Sequence, residues 1–373
     1  MYRYYVIAWM LFFQISLKAQ EPFSKISDSI ELRLQQLIDT TGAAPVVNIL
    51  CDLSDMKSGF EYQGAFGYVD LAYGLPATTS HTFKTASITK MFTAVAVLQL
   101  AEKGVVDLDE PIAGYLEDLE FVKIDSLHQF NGRSFGKEIT VRELLGHRSG
   151  LADLFTDKEA EFFEVIMDDP QYQWSVEDLF TLYYRMQLPK AAKFAPGEGY
   201  AYSDTGYFLL GLLVEAKTGR SLPEVFRDKI LDPLEMKQTY FEYYEANPGV
   251  NPQVHAFVGD IDATALINTS FDWAGGGLVS TTNDLSLFMQ GLFSGKLFRN
   301  PATLEEMCGD GDYGLGIGRF QLNDTVYYGH TGYWGSGVFY HPDSGRTLCL
   351  SVNQTEVGFS MRELLENLLL LFP

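Results

Sequence analysis

Cysteine, histidine and basic side chains are all scarce in this chain of 373 residues. The three cysteines, Cys51, Cys308 and Cys349, lie far apart and form no Cys-x-x-Cys pair, so they support neither a disulfide framework nor a metal knuckle. Three buried thiols are expected, with one bridge as the alternative. The six histidines show no His-x-x-x-His spacing, and no metal or cofactor is expected. Lys and Arg number 27 against 49 Asp and Glu, a formal net charge of −22. Such a surface repels phosphates, which argues against nucleic acid as a partner. The chain also lacks internal repeats, low-complexity tracts and flexible interdomain linkers.

One apolar run stands out at the start, Tyr4–Leu17, between Met-Tyr-Arg and Lys18-Ala19-Gln20. A short basic segment followed by an apolar stretch of this length reads as a secretory signal peptide over residues 1–20, and hence as an exported bacterial protein, periplasmic or secreted. Leu17 and Lys18 are poor cleavage-site residues, so an uncleaved membrane anchor is the alternative. Downstream, Ser24–Asp39 has helical periodicity with Ile26, Ile30, Leu34 and Leu37 on one stripe. Ala44–Leu53 and Phe60–Tyr73 read as strands. Thr140-Val141-Arg142-Glu143 has the form of a capping box, and the pattern stays mostly helical to about Arg227. Short strands return at Arg319–Gln321, Thr325–Tyr328, Gly337–Tyr340 and Thr347–Asn353, before a last helix, Ser360–Leu371, with leucines all round. Strands at both ends with helices between predict an α/β fold, its sheet built from discontinuous segments.

Ser87-Ile88-Thr89-Lys90 carries the chemistry. Residues three apart share a helix face, so Lys90 is expected beside the Ser87 hydroxyl. Serine is a poor nucleophile without an adjacent base, and a lysine held neutral by burial and by the helix N-terminus can be that base. The competing reading makes Ser87 an N-cap and Lys90 a first-turn residue reaching for solvent. The same spacing recurs at Ser54–Lys57 and Ser134–Lys137. Only Ser87, however, is followed by a long apolar helical segment, Met91–Ala101.

Two further stretches, Pro196–Gly211 (containing Tyr202-Ser203-Asp204) and Tyr328-Gly329-His330-Thr331-Gly332-Tyr333, complete a set with Phe83–Ala94. The set resembles the Ser-x-x-Lys, Tyr-x-Asn and Lys/His-Thr-Gly motifs of the serine β-lactamase and penicillin-binding-protein superfamily. The branch of class C β-lactamases, D-alanyl-D-alanine carboxypeptidases and related esterases looks most similar. Leu144–Leu151, Ala274–Ser280 and Tyr313-Gly314-Leu315-Gly316 have the family's flavour. The resemblance covers roughly Phe60 to Asn353. It implies a β-lactamase/transpeptidase-like fold: a mainly antiparallel sheet flanked by helices with a helical subdomain. The domain would span residues 24–373, its α/β part about 24–90 and 275–373 and its helical part about 91–274. It implies Ser87 as nucleophile, with Lys90 and Tyr202 sharing the general-base work. It also implies an oxyanion hole from the backbone N–H groups of Ser87 and Tyr333, and substrate contacts from Asp204, His330, Thr331 and Gly332.

One residue departs from the pattern, Asp204 in place of asparagine. A carboxylate only accepts hydrogen bonds. It would disfavour anionic β-lactam or peptide-carboxylate substrates and could pair with Lys90; alternatively it is protonated or points elsewhere. A literal Lys217-Thr218-Gly219 sits at the end of the apolar run Phe208–Ala216, where Gly219 reads as a helix C-cap, and His330 is preferred for the third motif. Gly132-Arg133-Ser134-Phe135-Gly136 lacks the strand and helix that a nucleophile elbow needs. Gly309–Gly314 matches a dinucleotide fingerprint only literally, since two aspartates would repel a pyrophosphate. His147 reads as a structural histidine of its turn. The expected activity is an exported serine hydrolase working through an acyl-enzyme on an amide or ester, with a small molecule or peptide as substrate. The alternative is a non-catalytic relative that binds peptidoglycan or peptides.

Overall fold

The computed structural model describes residues 23–72, 74–249 and 251–373. The signal-peptide segment lies outside them. Among the described residues no helix is long and apolar enough to cross a membrane.

The main sheet has six antiparallel strands: β1 (Asn48–Asp55), β2 (Phe60–Gly67), β3 (Gly318–Leu322), β4 (Thr325–Gly332), β5 (Ser336–His341) and β6 (Arg346–Ser351). Their order is β3-β4-β5-β6-β1-β2. Strand β1 therefore pairs with β6 from the far end of the chain, Leu50 opposite Ser351 and Asp55 opposite Arg346. All six coincide with runs expected to be strands, because β-branched and aromatic residues fit a pleated surface.

Alternation along β1 divides its side chains between two cores. Ile49, Cys51 and Leu53 join a cluster with Ile30 and Leu34 of helix α1 (residues 23–35) and Leu364, Leu365 and Leu368 of α5 (Met361–Leu369). Each such leucine contributes roughly 1.5–3 kcal/mol on burial. Arg362, Glu363 and Asn367 are exposed while Leu364, Leu365, Leu368 and Leu369 are buried, so the last helix is amphipathic rather than apolar all round. On the other face, Asp52 accepts from Ser286 of α4 (Thr282–Phe293) at 2.9 Å. Cys349 is paired in register with Asp52 and Cys51 with Leu350, so the two thiols lie on opposite faces of the sheet. All three cysteines are free.

The larger core joins that second face to the helical region. At its centre runs α2 (Thr89–Glu102), buried at every position except Gln99, Ala101 and Glu102. Phe92 stacks on Phe288 of α4 at 3.9 Å between ring centroids. Helix α3 (Asp204–Thr218) packs beside α2 and ends at Gly219, whose φ of +66° confirms the C-cap. Thr140 and Glu143 exchange both hydrogen bonds of the expected capping box.

Candidate active site

Ser87 lies in the 3-10 turn Ala86–Ile88, one step ahead of α2. The cap of α2 is Ile88, with no side-chain hydrogen bond, so Ser87 is not an N-cap. The turn is clamped from two sides. Thr85 donates from its N–H and Oγ1 to the Leu278 carbonyl, at 3.0 and 2.8 Å, and its own carbonyl accepts from Ser336 Oγ at 3.1 Å. Ala86 is held at φ +47°, a conformation that a non-glycine residue adopts only under constraint. The run His81–Lys90 is buried except at Ser87, which opens onto solvent.

Lys90 does not reach for solvent either; its side chain is 0% exposed. Its Nζ meets three acceptors: Ser87 Oγ at 3.0 Å, Asp204 Oδ1 at 2.5 Å and the Gly275 carbonyl at 2.9 Å. Three acceptors match the three donors of an ammonium. Burial alone favours a neutral lysine, but a carboxylate and a backbone carbonyl face this one. Asp204 points at Lys90, and its charge is engaged there rather than left open to a ligand. Its position as first residue of α3 also suits the positive helix end.

Tyr202 completes the cluster, with Lys90 Nζ 4.8 Å from its ring centroid. Its hydroxyl is buried without a hydrogen-bond partner among the described residues. Burial pushes the phenol well above its ordinary range; Asp204 pushes the same way and the nearby Ser87 hydroxyl opposes. Tyr202 is thus a neutral phenol facing the nucleophile. His147 stacks on it at 4.2 Å between centroids and accepts the Ser203 N–H on Nδ1 at 3.1 Å. Burial keeps this imidazole uncharged, so His147 positions Tyr202 as part of the structure.

His330 is buried beside the same group and pushed down to about 3 by burial, with Lys90 adding to the effect. Its Nδ1 donates to the Thr331 carbonyl at 2.6 Å, and its Nε2 accepts from the Tyr313 hydroxyl at 3.0 Å. Both nitrogens are used, so its support of Tyr202 passes through packing and Tyr313 rather than a direct hydrogen bond. Thr331 is exposed at the end of β4. A Cβ on Gly332 would lie 2.3 Å from the Thr85 carbonyl oxygen, so glycine lets β4 press against the nucleophile turn. Tyr333 follows, 60% exposed at the rim.

Motif reading passed over Asp153, Tyr313 and the Gly275 carbonyl. Asp153 accepts the Asp204 N–H at 2.5 Å and is pushed up to about 6 by burial and by Asp204. Gly275 and Tyr313 lie in the family-like stretches Ala274–Ser280 and Tyr313–Gly316, whereas Asp153 lies in none. The competing serines stay away from this cluster: Ser134 is exposed and donates to Asp125 O, while Ser54 is half-buried in β1 with its hydroxyl shielded. Among the described residues no group of His, Cys, Asp and Glu is placed to hold a metal ion.

Comparison with known proteins shows the family. The Beta-lactamase family model matches residues 50–371. Penicillin-binding protein 4* of Bacillus subtilis is 25% identical over 277 residues, covering 70% of this chain and 55% of that protein. The chain spans about half the length of such curated relatives. Among solved structures, a D-stereospecific amidohydrolase from Streptomyces sp. superposes with a TM-score of 0.73 at 25% identity, covering 89% of this chain and 96% of that one. The D-amino acid amidase of Ochrobactrum anthropi SV3 gives 0.70 at 25%, covering 90% and 99%.

Proposed function

Since the chain belongs to the beta-lactamase family and is a serine hydrolase of the β-lactamase-related type, we propose that it cleaves small amides or esters through an acyl-enzyme on Ser87. The observation that carries this reading is the 3.0 Å contact of Lys90 Nζ with Ser87 Oγ, inside a buried cluster that also holds Tyr202.

In the proposed course Lys90 passes one proton to Asp204, its ion-pair partner, and takes the Ser87 proton in its place as Oγ bonds to the acyl carbon and the carbonyl π electrons move onto oxygen. Tyr202, a neutral phenol at rest, returns one proton to the departing nitrogen or oxygen. The cluster therefore ends the step with the protons it began with. Water then takes the place of the leaving group and the same transfers run in reverse, a contribution of roughly 10²–10⁴-fold. The backbone N–H groups of Ser87 and Tyr333 would receive the developing oxyanion; neither engages a turn or loop acceptor among the described residues. Each such donor is worth about 3–4 kcal/mol. Gly332→Ala is accordingly expected to push β4 off the Ser87 turn and lower kcat for p-nitrophenyl acetate by about 10²-fold. Unchanged kcat in that variant would remove Tyr333 from the oxyanion site. Export is part of the same reading, supported by the Tyr4–Leu17 run.

Asp204 narrows the substrate. Paired with Lys90 it cancels the one cation beside Ser87, so a carboxylate-bearing ligand finds no compensating charge there. The test is acylation by benzylpenicillin beside turnover of p-nitrophenyl acetate. The wild type is expected to cleave the ester, and Asp204→Asn to be acylated by penicillin roughly ten-fold faster than the wild type. Absence of ester turnover would reject the proposed activity. Unchanged or slower penicillin acylation in the variant would reject the charge argument alone.

A further inference from the structure

Another carboxyl, Asp272, stands beside the nucleophile turn without an ion-pair partner of its own among the described residues. Asp272 ends the 3-10 turn Ser270–Asp272 and immediately precedes the segment Trp273–Gly276, whose Gly275 carbonyl holds Lys90. A Cβ built on Gly276 would lie 3.2 Å from Asp272 Cγ and 3.6 Å from the Ala86 carbonyl carbon. One glycine is all that separates this carboxyl from the backbone that carries Ser87. Asp272 is half-buried, and its carboxyl makes no hydrogen bond or ion pair among the described residues.

The nearby charges are matched without it. Lys90 is paired with Asp204, and Lys84 is paired with Glu242 while also donating to Thr269 Oγ1 at 2.8 Å. Two lysines and two carboxylates pair off, which leaves Asp153, whose carboxyl accepts the N–H groups of Phe155, Thr156 and Asp204, and Asp272, whose carboxyl accepts none among the described residues. Burial pushes its carboxyl up to about 7; Lys84 and Lys90 oppose, while Asp204 and Glu242 push the same way. The backbone next to it is constrained as well. Trp273 is held at φ +29° and ψ −121°, a strained conformation for a bulky residue, with its ring wedged against Gly211 of α3. Strain of this kind fixes where Asp272 stands. The rim above is aromatic, with Tyr200 53% and Tyr333 60% exposed.

We propose that Asp272 anchors the free α-ammonium of the substrate, so that this hydrolase prefers amides or esters of unblocked amino acids to their N-acylated forms. The assignment rests on the acyl-enzyme reading above. A cation placed there supplies a partner for this carboxyl, one glycine away from the turn that carries Ser87. Asp204, engaged by Lys90, is not the residue that selects an amine.

The test compares phenylalanine methyl ester, as both enantiomers, with the N-acetyl forms, using the full chain. The wild type is expected to favour the free amine by roughly 10–100-fold in kcat/KM at neutral pH, as a charge-assisted hydrogen bond supplies. This preference should fall on both sides of neutrality, below about pH 7 as Asp272 takes up a proton and past about 8 as an α-amine loses one. Asp272→Asn is expected to bring the ratio close to one, and Asp272→Glu to keep part of it. A wild type without preference, a preference that does not track amine protonation, or a ratio unchanged in Asp272→Asn would each overturn the assignment. Inability of the wild type to cleave any of these esters or p-nitrophenyl acetate would overturn the hydrolase reading as well.

Discussion

Ser87→Ala is expected to lower turnover of p-nitrophenyl acetate by at least about 10⁴-fold, as removal of a nucleophile does in other serine hydrolases. Its melting temperature is expected to stay within about 3 °C of the wild type. The separation follows from the environment of the side chain. Ser87 Oγ accepts one hydrogen bond, from Lys90, and that ammonium keeps Asp204 and the Gly275 carbonyl when the hydroxyl is gone. The turn itself is held by Thr85, not by Ser87. Ser134→Ala is the control, because Ser134 sits on an exposed two-residue strand with its hydroxyl bound to Asp125 O. Retained turnover in Ser87→Ala would end the assignment.

Lys90→Met is expected to damage both activity and stability, and a double variant separates the two. Removing one partner of a buried ion pair leaves the other charge without compensation, at a cost of about 3–5 kcal/mol. Here Asp204 would keep only its place at the positive end of α3. Replacing both residues with apolar side chains, Lys90→Met with Asp204→Leu, should recover most of that stability, since apolar replacement of a buried pair is often neutral. Turnover should not recover, because Ser87 would still lack its base; a loss of roughly 10³-fold or more is expected in both variants. Calorimetry and ester kinetics on the two proteins check the pair of outcomes. Recovery of turnover in the double variant would show that Lys90 acts only as a structural partner of Asp204.

The parts of this structure that sequence made legible are those governed by local rules. The strands β1 to β6 follow from runs of β-branched and aromatic residues, and Thr140–Glu143 from reciprocal capping. The Ser87–Lys90 proximity follows from three-residue spacing before an apolar helix. Pairing of β1 with β6 was expected only as a sheet built from both ends of the chain, since register depends on contacts about 300 residues apart. The state of Lys90 was harder to read. Burial alone favours a neutral amine, but the Gly275 carbonyl and Asp204 arrive from 185 and 114 residues away and supply an ammonium's acceptors. Ser87 read equally well as an N-cap because the left-handed Ala86, which sets the serine one step before the helix, has no sequence signature. Asp272 carried no motif at all. Its isolation becomes visible only when Lys84 and Lys90 are seen to be matched by other carboxylates.

The central claim is that Ser87 becomes acylated, and intact-mass measurement after reaction with a fluorophosphonate probe tests it most directly. The wild type is expected to gain one adduct per chain, carried by the peptide that contains Ser87, and Ser87→Ala to gain none. A wild type that stays unlabelled, or an adduct that persists in Ser87→Ala, would contradict the account.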